Sequence, residues 1–143
     1  MTAPATTRLP AAPTTLEVGD RMASDEVGPL TRTDFVRYAG AGGDLNPIHH
    51  DEEFARDAGL PSVFGMGMLH AGMLGTRLAR WVGPRNIEEL TVRFTGQVWP
   101  GDVLSFHGEV EEIADSVATI ALRVTNQRDE TVLRARANAR VRL

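Results

Sequence analysis

Residues 43–51, GDLNPIHHD, place a carboxylate at Asp44 and an imidazole at His49 on either side of an Asn-Pro step. Pro47 fixes its own φ angle and biases Asn46 towards extended backbone, so the chain is expected to turn here. Such a turn would bring the side chains of Asp44 and His49 towards one point. A carboxylate and an imidazole that share one water molecule form a common acid–base arrangement.

This pairing suits the addition of water to a polarised carbon–carbon double bond. One group takes a proton from the water while a proton reaches the neighbouring carbon. A carbonyl beside the double bond also needs hydrogen-bond donors where enolate charge develops. Free backbone N–H groups at the start of a predicted helix, near residues 65–68, can supply those donors.

A metal site and a plain structural loop are the alternatives for this segment. With His50 and Asp51 included, it resembles a dense cluster of metal ligands. Adjacent histidines point apart in most backbone conformations, however, so we expect no metal. Asp51 is better explained as a helix cap and His50 as an exposed neighbour. The acid–base hypothesis for Asp44 and His49 is therefore preferred.

Composition limits the class of protein. The chain has 143 residues, enough for one domain, and a net charge of −4, which disfavours nucleic-acid binding. It has no Cys and all 15 basic residues are Arg, so thiol and Schiff-base chemistry are excluded. Residues 1–14 are rich in Pro and Thr and are predicted to be a disordered tail before a domain of residues 15–143. Without a signal peptide or a long apolar run, we expect a cytoplasmic location.

The hydrophobic pattern predicts a strand, then helices, and then four strands in a meander. Thr31 or Thr33 can cap the first helix, and Asp51 the second. The order indicates an α+β fold in which an antiparallel sheet wraps around the long third helix. The predicted helices cover 31–40, 52–58 and 66–82, and the predicted strands cover 89–99, 103–113, 117–125 and 133–142. Residues 16–20 are predicted to form a short strand or an entry turn, which residues 22–27 can extend.

Two further groups of residues invite a functional interpretation. His70 lies inside the apolar third helix, where we expect a satisfied core histidine or one that lines a substrate tunnel. The last strand presents arginines on one face, including Arg134, Arg136 and Arg140. Such a face is usually only solvated, but some of these arginines, or Arg77, Arg80 and Arg85, can also contact the phosphates of a ligand or an acidic partner.

The pattern Tyr38-(x)4-GDLNPIH-(x)5-Ala55 resembles the signature of the MaoC-like (R)-specific enoyl-thioester hydratases (hydratase 2), with particular likeness to actinobacterial (3R)-hydroxyacyl-ACP dehydratase subunits. The resemblance covers roughly residues 16–143. It implies a single hot-dog fold and a homodimer, or a heterodimer with another hot-dog subunit. It also implies a substrate carried on coenzyme A or acyl carrier protein, with no other cofactor and no metal.

The resemblance assigns roles residue by residue. It makes Asp44 and His49 catalytic and the backbone N–H of Gly67 the oxyanion donor. The remaining residues that we expect to bind or support the substrate are Asn46, Pro47, Met68, His70 and Gly72.

Two positions depart from the family pattern. Met66 stands where the family usually has His, and Gly72 stands where some hydratases have Ser. The expected activity is reversible (R)-specific hydration of trans-2-enoyl thioesters, or the reverse dehydration of (3R)-3-hydroxyacyl thioesters, in fatty-acid metabolism. The alternatives are a non-catalytic hot-dog subunit that assists a partner and, less favoured, an acyl thioesterase.

Overall fold

The computed structural model describes residues 8–142. Three α-helices precede most of the sheet, and 3-10 turns lie at Pro47–His49 and Pro84–Asn86. The helices are α1 (Arg32–Gly42), α2 (Glu52–Asp57) and α3 (Gly67–Val82). The strands are β1 (Thr14–Thr15), β2 (Glu26–Val27), β3 (Ile87–Phe94), β4 (Leu104–Ala114), β5 (Val117–Thr125) and β6 (Thr131–Arg142).

The six strands form one sheet with the path β1-β6-β5-β4-β2. Strand β3 pairs antiparallel with β6, and the two-residue β1 pairs parallel with the end of β6. Within residues 8–142, β3 has β6 as its one partner strand, so β3 is an edge strand. The α+β architecture predicted from the sequence is thereby confirmed, apart from the parallel pairing of β1.

Helix α3 packs along the sheet and supplies much of the core. Leu74, Leu78 and Val82 of this helix are fully buried. Its row of small residues lets β3 approach closely: a Cβ atom added to Gly67 would lie 2.7 Å from the Phe94 ring, and one added to Gly75 would lie 3.8 Å from Leu90. The close approach of β3 thus explains the glycine at position 67, whereas the contact at Gly75 is an ordinary van der Waals distance.

The predicted helix limits are close to the observed ones. Thr31 caps α1 and forms a capping box with Asp34. Helix α1 continues two residues beyond the predicted end because Gly43, at φ 73°, supplies the left-handed conformation that terminates it. Helix α3 begins one residue later than predicted, with Met66 as its N-cap.

Two strand predictions were wrong in their limits, and a third segment took the second of its two predicted forms. Residues 16–20 form the entry turn and not the short strand, since Gly19 has a φ angle of 92° and the Glu17 N–H donates to the Asp20 carboxylate at 2.8 Å. Within residues 22–27 the strand is limited to Glu26–Val27, although the Met22 N–H also donates to the Gly108 carbonyl of β4 at 2.9 Å. Strand β3 stops at Phe94, five residues early, because the chain turns so that the Val98 carbonyl accepts a hydrogen bond from another loop.

The disordered tail predicted for residues 1–14 stays a prediction, although its last residues contact the domain. Residues 1–7 lie outside the described part of the chain. Nearer the domain, the Ala12 carbonyl accepts a hydrogen bond from Asn86 Nδ2 at 3.2 Å, and the Pro13 carbonyl accepts one from Arg142 Nε at 3.1 Å. This part is held by two side-chain donors that sequence periodicity does not reveal. No helix among residues 8–142 is long and apolar enough to cross a membrane.

Candidate active site

The Asn-Pro step forms the predicted turn. Asn46 is extended, with φ −60° and ψ 122°, and its side-chain oxygen accepts a hydrogen bond from the Ile48 N–H at 3.1 Å. Pro47 then opens the 3-10 turn that ends at His49. Asn46 therefore acts as an N-cap that fixes the direction in which the chain reaches His49.

The imidazole of His49 is buried and held in one orientation. His49 is 8% exposed, and its Nδ1 atom lies 2.7 Å from the carbonyl oxygen of Phe64. The rings of His49 and Phe64 also meet edge to face, with their centroids 4.9 Å apart. Because a carbonyl oxygen only accepts, Nδ1 carries the hydrogen, and the Nε2 atom of the neutral ring carries the free lone pair.

That lone pair faces Asp44. Asp44 Oδ1 accepts a hydrogen bond from the Asn46 N–H at 3.3 Å, and Oδ2 lies 3.6 Å from His49 Nε2. This separation is too long for a direct hydrogen bond. The Asp44 side chain is 45% exposed, so the pair has one buried and one solvent-facing member. Two acceptors at this spacing can share a water molecule.

The segment that holds His49 leads directly into helix α3. Gly65, next to Phe64, donates its N–H to the Val98 carbonyl at 2.7 Å, which anchors the segment. Met66 caps the helix without a side-chain hydrogen bond, so the first N–H groups, beginning at Gly67, have no acceptor within the helix. The acid–base pair and a donor-rich helix start are thus joined through three residues.

His70 is the least expected feature of this region. It is 2% exposed, and neither ring nitrogen has a hydrogen-bond partner among residues 8–142. Its ring meets the ring of Phe94 edge to face, at 5.9 Å between centroids. Burial lowers the pKa of His70 to about 4, so the ring is neutral at pH 7. The expectation of a satisfied core histidine was wrong, and the tunnel-lining interpretation remains a prediction.

The other residues expected at the site are divided between two places. Met68 is 57% exposed at the start of α3. Gly72 lies one turn further along, and no atom approaches within 4 Å of the position that a Cβ would take there. Both therefore border the open side of the helix, whereas Asn46 and Pro47 belong to the loop of the acid–base pair.

His50 and Asp51 have the minor roles expected of them. His50 is exposed. The Asp51 carboxylate caps α2, accepting hydrogen bonds from the N–H groups of Glu53 and Phe54 at 3.0 and 3.1 Å. Within the described residues, no group of three or more potential ligand side chains is arranged to hold a metal ion.

Sequence reasoning missed two residues that shape the site. The Phe64 carbonyl orients His49, and the Phe94 ring covers Gly67 and contacts His70. Every residue has a backbone carbonyl, so nothing in the sequence could single out Phe64. The position of Phe94 at the end of a strand gave equally little indication, because its contacts depend on how β3 packs on α3.

Comparison with known proteins identifies the family. Residues 14–132 match the family model described as the MaoC like domain, and the chain belongs to that family. Its fold is the hot-dog fold that the resemblance implied. The R-hydratase PhaJ1 of Pseudomonas aeruginosa, in its unliganded form, matches with 30% sequence identity and a TM-score of 0.77, over 89% of this chain and 84% of that one.

Two curated relatives are longer than this chain. The 3-hydroxyacyl-thioester dehydratase Y of Mycobacterium tuberculosis is 36% identical over 67% of this chain and 33% of its own length. The mitochondrial 3-hydroxyacyl-[acyl-carrier-protein] dehydratase of Arabidopsis thaliana is 34% identical over 82% of this chain and 64% of its own length. The chain therefore spans from about a third to about two thirds of these relatives.

Proposed function

We propose that this protein catalyses the reversible (R)-specific hydration of trans-2-enoyl thioesters. The observation that carries the proposal is the orientation of His49, whose Nδ1 is bound to Phe64 while Nε2 faces Asp44 across 3.6 Å. The similarity to dehydratases and to an (R)-hydratase supports the same reaction class. In fatty-acid metabolism the reaction runs as hydration or as dehydration of the (3R)-3-hydroxyacyl thioester.

The pair acts on one water molecule. In the hydration direction, the water donates its two hydrogens to His49 Nε2 and Asp44 Oδ2, which leaves an oxygen lone pair free to attack the β-carbon. One proton passes from the water to the pair as the new C–O bond forms. A proton then passes from the pair to the α-carbon, so the substrate gains one water and the protein is restored. The Phe64 carbonyl stabilises the imidazole whenever it is protonated.

The thioester carbonyl needs a donor while the α-carbon carries negative charge. The N–H of Gly67 is proposed as that donor, since it is free of intrahelical bonds and lies at the positive end of the α3 dipole. Met66 in place of the family histidine leaves this backbone donor intact. No step requires a cofactor other than the carrier, coenzyme A or acyl carrier protein, that holds the acyl chain.

The acyl chain is proposed to lie beside the start of α3. Met68 and Phe94 are 57% and 47% exposed there, and together they offer an apolar surface for an alkyl group. His70 is proposed to meet the chain or the carbonyl with a ring nitrogen that has no hydrogen-bond partner among residues 8–142. Asn46 and Pro47 support the loop, and Gly72 leaves open space for substrate.

A second hot-dog subunit is proposed to complete the site. Edge strand β3 ends in Phe94 beside Gly67, so a subunit that pairs with this edge would also cover the exposed apolar groups. We propose a homodimer, or a heterodimer with a related subunit. The mass of the purified protein in solution tests this: a monomer that hydrates enoyl thioesters at full rate would contradict it.

The cytoplasmic location expected from the sequence stays a prediction. The names of two curated relatives place one in mitochondria and another in peroxisomes, so membership of the family does not set the compartment.

The reaction itself is tested with a panel of enoyl-CoA and enoyl-ACP substrates of increasing chain length. We expect loss of the enoyl absorbance, a (3R)-3-hydroxyacyl product by chiral chromatography, and no release of free thiol. Release of thiol would indicate a thioesterase instead. Activity that appears only after a second hot-dog subunit is added, and that survives loss of Asp44, would indicate an assisting subunit.

A further inference from the structure

Three arginines and one histidine form a row across four strands of the sheet. The strand register places Arg93 opposite Arg134, Arg134 opposite Arg123, and Arg123 opposite His107. Directly opposite residues of antiparallel strands point to the same face. Since strands lie about 4.8 Å apart, this basic row is about 14 Å long.

The basic row lies on the face of the sheet that points away from α3. Its neighbours along the strands, Phe94, Phe106, Leu122 and Leu133, are the residues that turn towards the helix: Phe94 touches Gly67, and the other three belong to the core. Alternation along a strand then sends the row to the opposite face. The acid–base pair is held by the segment leading into α3, so the basic row is a separate surface.

The arginines of the row differ from others on the same face. Arg136 pairs with Glu111 at 2.8 Å, and Arg140 pairs with Glu88 at 3.4 Å. Among residues 8–142, no carboxylate forms an ion pair with Arg93, Arg123 or Arg134. Within the described part of the chain, the three arginines of the row thus lack the carboxylate partners that Arg136 and Arg140, further along the same face of β6, possess.

Such a row has a cost for the folded protein. Like charges that face each other across strands repel and destabilise the sheet. The pKa of His107 is lowered, first by its burial and next by the positive charge of Arg123, against the opposing effect of Asp129. The whole chain has a net charge of −4, so the row is not part of a general excess of positive charge.

A groove of about 440 Å³ lies over one end of the basic row. It has the size of a small-molecule site. His107, Arg123 and Arg134 line it, together with Met22 and Ala121. The Arg21–Glu109 ion pair, at 3.2 Å, belongs to its wall and partly balances the charge there.

We propose that this groove binds a phosphate-bearing small molecule of nucleotide size. Guanidinium groups match the oxygens of phosphate with two parallel hydrogen bonds, and Arg123 and Arg134 stand side by side to provide them. The apolar part of the groove receives the non-phosphate part of the ligand. Two sources share this chemistry: a free nucleotide, or the nucleotide end of coenzyme A, the second of which rests on the proposed hydratase function.

Calorimetric titration with ADP and with pyrophosphate tests the site and needs no catalytic activity. The variant is Arg123→Gln/Arg134→Gln, and the matched control is Arg136→Gln/Arg140→Gln, which removes two paired arginines of the same strand face. We expect saturable ADP binding by the wild type, and an affinity about 10-fold or more lower in the row variant. Added salt should also lower the affinity of the wild type. The control should bind ADP as the wild type does.

The row variant should remain folded, because it relieves like-charge repulsion; an unchanged or higher Tm at low salt checks this. Absence of ADP and pyrophosphate binding at millimolar concentration, or equal loss of binding in the control, would overturn the proposal. A KM that rises for an enoyl-CoA but not for the matching enoyl-pantetheine identifies coenzyme A as the source. If the row variant loses ADP binding while its KM values for the enoyl-CoA and the enoyl-pantetheine are unchanged, the source is a free nucleotide. Either of these two outcomes supports the proposed site.

Discussion

Asp44 Oδ2 and His49 Nε2 lie 3.6 Å apart, and the opposite nitrogen of the imidazole is bound to the Phe64 carbonyl at 2.7 Å. One backbone oxygen thereby decides which ring nitrogen of His49 is free to accept a proton. Asn46 contributes twice, because its N–H binds Asp44 Oδ1 and its side chain caps the turn that carries His49. The spacing of the pair therefore depends on the loop of residues 44–49 together with the Phe64 carbonyl.

The first prediction concerns the tautomer of His49. Because Nδ1 donates to Phe64, the neutral ring should carry its hydrogen on Nδ1 and the lone pair on Nε2. The ¹⁵N chemical shifts of selectively labelled histidine, recorded well above the pKa of the ring, distinguish the two forms. A ring protonated on Nε2 would mean that His49 offers a donor, not an acceptor, to the shared water.

Asn46→Ala should damage catalysis more than folding. Loss of the cap costs about 1 kcal/mol of unfolding free energy. The displaced pair should lower kcat by about 10-fold or more. Asp51→Ala is the matched control, since it removes the cap of α2 at similar cost in stability without a contact to Asp44 or His49. Equal losses of kcat in the two variants would show that general loosening, and not the geometry of the pair, is responsible.

Two glycines of α3 should respond in opposite ways to alanine. At Gly67 a Cβ would lie 2.7 Å from the Phe94 ring, so Gly67→Ala should lower the unfolding free energy by about 1–3 kcal/mol. Gly72 has no neighbour within 4 Å, so Gly72→Ala should raise it by about 1 kcal/mol. Chemical denaturation measures both.

A double-mutant cycle assigns the cause of the loss at Gly67. In the background of Phe94→Ala, the obstructing ring is absent and Gly67→Ala should cost much less. Additive losses in the double variant would indicate that the ring is not what makes Gly67 necessary.

His70 should make stability depend on pH. Its pKa falls from 6.5 in the unfolded chain to about 4 in the fold, so the unfolded state binds more protons between these values. The contribution of His70 to the free energy of unfolding is complete above pH 6.5 and falls by up to about 3 kcal/mol as the pH drops towards 4. Denaturation curves of wild type and His70→Leu over this range test it; parallel pH profiles would contradict the assignment.

Local signals in the sequence predicted the loop and helices well. The Asn-Pro step and the Thr31 and Asp51 caps act within a few residues of their position, so their effects can be read from neighbours alone. Strand β5 was likewise predicted with its observed limits, because turn residues flank it on both sides.

Features that depend on tertiary contacts could not be predicted. The contact of Phe94 with Gly67 depends on how β3 crosses α3. The alternation of the last strand indicated an arginine face, but which arginines stand opposite one another depends on strand register. That register includes irregularities in the pairing of β3, β4 and β5, which no local pattern reports.

The most direct measurement is the steady-state hydration of an enoyl thioester by Asp44→Asn and His49→Ala, with His50→Ala as the control. His50 is an exposed neighbour in the same loop and is not part of the pair. We expect kcat to fall about 100- to 10,000-fold in the first two variants and to stay near the wild-type value in the third. Wild-type turnover in Asp44→Asn or His49→Ala would contradict the proposal that this pair performs the reaction.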